Sequence, residues 1–208
     1  MGREVLLDYW FGRAADDPAA LQERMRLWFG GGDDTPADVA ARDEDMRRRF
    51  ADLMGHAARG DLASWEATAR GRLALILLSD QLPRNVHRGR PGAFATDPAA
   101  RRLCVEGLKL GHDRELAPIE RMFFYLPLEH SESLEDQERC IALMTALERD
   151  APAGLEQSFA GFTRYAARHR DIVARFGRFP HRNRILGRPN SAGEEAYLAG
   201  EAPAFGQR

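Results

Sequence analysis

Four short polar segments carry most of the side chains in this sequence that could do chemistry, and each interrupts an apolar helical pattern. The first is DQLPRN at 80–85, holding Asp80, Gln81, Arg84 and Asn85, with His87 and Arg88 just beyond. The second is LPLEHSE at 126–132, which sets Glu129 beside His130. The third is His169, alone on an apolar stripe. The fourth is FGRFPHRN at 176–183, with Arg178, His181, Arg182 and Asn183, followed by Gly187 and Arg188.

A neighbouring Glu and His can form an acid–base unit in which the carboxylate fixes the imidazole tautomer and the ring moves the proton. Adjacent residues on a helix point about 100° apart, so the two converge only where the backbone is irregular, and Pro127 supplies that irregularity. The competing reading is a helix-start network, with Ser131 or Ser133 as cap and the acids at the positive helix end. His169 reads either as a neutral core imidazole bonded to backbone or as a third acid–base group. The two similar turns, PRN at 83–85 and PHRN at 180–183, offer guanidinium forks for a carboxylate or phosphate, plus amides that donate and accept. The same side chains can instead tie loops to carbonyls at helix ends. Asp80 falls four residues after Ile76 on an apolar helix face, so its charge needs a partner. Arg84, four residues on, is one candidate.

No metal or cofactor is expected. His130, His169, His181 and Glu129 lack any H-x-x-H, HExxH or cysteine-pair spacing. There is no glycine-rich phosphate loop, dinucleotide fingerprint or GxSxG elbow. Cys104 and Cys140 read as buried, inert thiols.

The elements that must position these groups are helical, since no segment alternates with period two for long enough to be a strand. Thr35 and Pro36 cap a helix that Gly60 closes. A second runs from about 64 to 81, where Pro83 is expected to stop it. Asp97 and Pro98 start a third, ending at Gly111, and a fourth spans about 118–126 and ends at Pro127. Ser133 opens a fifth to about 149. Leu155, Phe159, Phe162, Ala166, His169, Val173 and Phe176 form the core stripe of a sixth, and a capping box at 191–194 starts a last short one. Short connections favour antiparallel helical hairpins. The reading is one all-α domain over 1–200 with a loose tail at 201–208. No regular repeat of about 34 residues emerges.

The bulk figures of 44% hydrophobic and 30% charged residues are those of an ordinary soluble domain. Net charge is −2, which gives no general pull toward nucleic acid or anionic membrane. Lys109 is the only lysine, and Arg with abundant Ala fits codon bias in a GC-rich genome. Eight Arg and one acid, Asp171, fall within 164–188, but no exposed aromatics interleave them, so nucleic acid is not the expected partner. No apolar run reaches the roughly 18 residues of a membrane span, and the start does not read as a signal peptide. The expected location is cytoplasmic.

Taken in order, LLDYWFG near the start, DQLPRN, AFATDPAA at 93–100, FFYLPLEHSE at 123–132, His169 and FGRFPHRNRILGR at 176–188 resemble the bacterial domain of unknown function 924 family. The match spans nearly the whole chain; Ser79 departs from the family's usual Asp. The resemblance implies a tetratricopeptide-like helical fold and brings no activity with it. The residues themselves suggest a buried site for a small anionic ligand. There Asp80, Gln81, Arg84, Asn85, Arg178, His181, Arg182 and Asn183 would bind, and Glu129, His130 and His169 would move protons in a hydrolase or transferase step. The alternative is a tetratricopeptide-like module that binds a peptide or protein without catalysis.

Overall fold

The computed structural model describes residues 2–14, 17–200, 202 and 205, and among these every regular element is helical. The main helices are α1 (Arg3–Phe11), α2 (Pro18–Phe29), α3 (Pro36–Arg59), α4 (Ala69–Ile76), α5 (Leu82–Val86), α6 (Asp97–Leu110), α7 (Pro118–Glu129), α8 (Leu134–Arg149), α9 (Glu156–Phe176), α10 (Asn183–Leu186) and α11 (Ala192–Ala199). The expected caps appear where they form real bonds. Thr35 and Asp38 make a reciprocal capping box at α3, Ser191 and Glu194 another at α11, and Gly60 and Gly177 end α3 and α9 in the left-handed conformation.

The first two helices had no clear periodic signal, yet Leu6, Leu7, Trp10 and Phe11 bury one face of α1. Trp28 closes on the same aromatic cluster, with Phe123 edge-on to Trp10, Phe11 and Trp28. Helix α7 runs through the middle: nearly all its residues from Ile119 to Glu129 are buried, and it packs against α4, α6, α8 and α9. Short turns join α7 to α8 and α8 to α9, and each pair packs side by side, so the neighbours run antiparallel and α7 and α9 point the same way.

Two proline expectations need correcting. Pro83 does not stop the helix at 81: a wide π-turn, Leu77–Gln81, leads directly into α5. Pro83 has no N–H to bond back to the Ser79 carbonyl, and the chain stays helical because that carbonyl accepts from another donor. Pro127 likewise lies inside α7, which continues to Glu129. At the other end, the helix expected from about 64 begins as a 3-10 turn, Ala63–Ala67, and breaks at extended Thr68, the cap of α4.

One hydrophobic core runs through α1 to α9, and a smaller cluster of Ile172, Val173 and Phe179 lies under the C-terminal helices. Of the tail expected to be loose, Ala202 is buried and the Phe205 ring packs on His169; the rest of 201–208 lies outside the described residues.

Candidate functional site

The π-turn is the first device that builds a site. Its i+5 bond, Leu82 N–H to Leu77 O, adds a residue to the turn, a feature frequent where a helix must re-aim side chains. With Pro83 lacking a donor, the carbonyl of Ser79 accepts instead from the Thr96 hydroxyl at 2.7 Å. The Asp80 carbonyl accepts from Arg84 Nη1 at 2.8 Å and the Gln81 carbonyl from Asn85 Nδ2 at 2.9 Å. Part of the PRN chemistry is therefore loop stapling. Arg84 also grips Asp97 with both Nη atoms, at 2.9 and 3.0 Å, and lies 3.1 Å from Asp80 Oδ1.

Asp80 is wholly buried and meets His130, fifty residues away, with Nδ1 2.8 Å from Oδ1 and 3.0 Å from Oδ2. Burial alone would raise the Asp80 carboxyl; Arg84 and His130 outweigh it and hold it well below the ordinary carboxylate range. Burial and then Arg84 push His130 down, so it is a neutral ring at pH 7. It donates its Nδ1 proton to Asp80, which leaves Nε2 on the opposite edge as the basic lone pair. Gln137 holds the chain end that carries His130, donating to the carbonyls of Glu129 at 2.6 Å and Ser131 at 2.7 Å.

Glu129, just before His130, is also buried. Desolvation, then the nearby Asp80 charge, raise its carboxyl to about 8, against the pull of Arg84. It is largely protonated at neutral pH. His169 Nδ1 lies 3.5 Å from Glu129 Oε1 but bonds the Tyr165 carbonyl at 3.0 Å, and burial keeps the ring neutral. The Glu129–His169 contact is thus between two uncharged groups. The backbone-bonded reading of His169 holds, and the ring also faces the cavity described below.

From the fourth segment, Arg182 is 94% buried by its 6% exposure, sandwiched between the rings of Phe94 and Phe179 at 4.7 and 4.4 Å. Its Nη2 bonds the His130 carbonyl at 3.0 Å and Nη1 reaches Asp97 at 3.3 Å, while Nε is buried with no partner among the described residues. Burial and then Arg84 lower its pKa to about 10. His181 is held neutral, at about 3, by burial and then Arg182.

These groups share one cavity of about 1330 Å³. Gln81, Arg84, Asn85, Glu129, His130, His169, His181 and Arg182 line it, and Asp80 sits behind His130. Arg178 and Asn183 do not join them. Arg178 pairs with Glu194 at 2.6 and 2.7 Å, and Asn183 bonds Asn190 and Arg188, so both fasten α11 and the loop before it. Two residues were read only in part. Asp97, seen as a helix cap within TDP, is the carboxylate that Arg84 and Arg182 share. Glu132, grouped with the LEHSE acids, takes Arg188 at 2.7 and 2.9 Å and the Phe179 N–H at 2.8 Å, pinning the fourth segment to the second. The apolar lining from α2, including Met25 and Phe29, carried no sequence signal.

Among the described residues no three His, Cys, Asp or Glu side chains are grouped to hold a metal ion, and no helix is long and apolar enough to cross a membrane. A family model described as a bacterial protein of unknown function (DUF924) matches residues 6–202. No curated protein matches the chain. A solved structure of a protein of unknown function from Agrobacterium tumefaciens is 42% identical; the match covers 88% of this chain and 98% of that one, with a TM-score of 0.69.

Proposed function

Because the chain belongs to the bacterial DUF924 family, whose description carries no activity, we propose a function from its own residues: the cavity binds a small anionic molecule on which Asp80, His130 and Glu129 perform acid–base chemistry. The observation that carries this reading is the contact at 2.8 Å between buried Asp80 and His130, set at a cavity wall beside a protonated Glu129. A neutral imidazole oriented by a carboxylate is suited to take a proton from a nucleophile, and a carboxylic acid next to it is suited to give one to a leaving group. His130 accepts the proton through Nε2, Glu129 releases its own, and proton return from His130 to Glu129 resets the pair. Arg182 supplies positive charge at the cavity wall, so it is the natural seat for the anionic group. The step is hydrolytic or a group transfer. The two cysteines are free thiols, in keeping with the reducing bacterial cytoplasm where we place the protein.

The alternative, a tetratricopeptide-like module binding a peptide without catalysis, gives no role to an oriented Asp–His pair. The cavity with buried Glu129 and Arg182 and part-buried His130 on its wall favours the small molecule.

A thermal-shift screen of small metabolite anions on the purified protein tests the reading, since a ligand specific for the folded form raises Tm. At least one anion should raise Tm by several degrees. Arg182→Gln should abolish that shift, and His130→Gln should keep binding but lose any turnover. If no anion shifts Tm, or if the shift survives Arg182→Gln intact, the reading fails.

A further inference from the structure

The acid–base groups and Arg182 stand together at one end of the cavity, while the charges elsewhere on its wall include ion pairs such as Arg42 with Asp34. His169 and Glu129 stand toward the C-terminal ends of α9 and α7, which run the same way, so both helices recede from that end together. Along α7 the lining continues through Leu126 to Met122, and along α9 through Phe162 to Ser158. From His169 to Ser158 is eleven residues, a lane roughly 16 Å long at helical rise. Its wall is mostly apolar, with Met122, Leu126, Phe29 and Phe162, and the Phe29 and Phe162 rings pack on one another with centres 6.4 Å apart; the polar Gln157 and Ser158 stand at its far end.

Two features bear on what fills the lane. Gly161 lies inside α9, where glycine is less stable than alanine. A Cβ built there meets only the tip of Arg164, at 3.9 Å. What the missing side chain leaves open is the cavity. Three of the six methionines, Met25, Met122 and Met144, line the same cavity, and methionine suits a wall that adapts to variable apolar shapes.

We propose that the ligand is an amphiphile: a carboxylate or acyl head at Glu129, His130 and Arg182, with an alkyl or aryl body laid along the α7–α9 lane. This rests on the proposed acid–base site and adds its substrate class. The head meets Arg182 at the cavity wall, and the body replaces water on the Phe162 and Leu126 faces.

The test is a titration of the full chain, by calorimetry and thermal shift, with straight-chain carboxylates from acetate to decanoate below their micelle concentrations. Affinity should rise by roughly three- to fourfold per methylene until the lane is full. Gly161→Leu, a change that favours the helix, should weaken decanoate at least tenfold and leave acetate within twofold; its own Tm shows that it folds. Arg182→Gln should weaken every member alike. Equal affinity for acetate and decanoate, or no loss of decanoate in Gly161→Leu, overturns the amphiphile while the anion site stands. Binding by no carboxylate of any length overturns the amphiphile, and the anion site then depends on the wider metabolite screen.

Discussion

Glu129 sets the charge of the cavity's polar end. With its carboxyl raised to about 8 against an ordinary 4.5, the folded protein keeps a proton that the unfolded chain releases. Stability therefore falls as pH rises from about 4.5 to 8, by up to a few kcal/mol, because the unfolded state binds fewer protons there. Glu129→Gln keeps the shape and removes the titration. We expect variant and parent to have similar Tm values at pH 5, with the variant increasingly the more stable toward pH 8. Parallel pH profiles would refute the assignment. Glu129 and His130 were legible as an acid–base pair because their types and the adjoining Pro127 say so. Their decisive partner, Asp80, is fifty residues distant, and one-dimensional spacing carries no such distance.

At the scale of elements, the π-turn joining α4 to α5 aims Asp80 at His130, and its stability rests on replacing the ladder bond that Pro83 deletes. Thr96 supplies the replacement across to Ser79. Thr96→Val should cost about 1–2 kcal/mol by leaving that carbonyl unsatisfied. In a Pro83→Ala background, where residue 83 regains its N–H, the same change should cost clearly less. A double-mutant cycle with no coupling between the two positions would refute this account. The apolar run at 73–78 was legible as a fully buried helix. Its continuation past Pro83 was not, since a proline reads as a stop unless a side chain from elsewhere takes up the freed carbonyl.

For the whole molecule, the wall bearing His181 and Arg182 is held to the body largely by Glu132, which bridges Arg188 and the Phe179 backbone. Burial would raise the Glu132 carboxyl, but Arg188, the Phe179 N–H and Arg182 lower it below 4.5. Its contribution is thus full above the unfolded value and is lost as pH falls through the lower folded one. Hydrogen exchange corrected for intrinsic rates should show the 178–190 amides losing protection in acid before the centre of α7 does. Glu132→Gln should show the same loss already at pH 7. If these amides stay as protected as those of α7, the wall is fastened by other contacts.

The amino-acid sequence alone determined that this protein is all-α, where most helices begin and end, and that its chemistry lies in four polar segments. Caps, glycine stops and apolar stripes act over a few residues, so they are written locally. Tertiary structure decided which segments meet, which Arg and Asn serve the cavity and which only fasten helices. It also decided that Glu129 is protonated while Asp80 is not. Those outcomes depend on desolvation and on charges from distant parts of the chain, and neither exists until the helices pack.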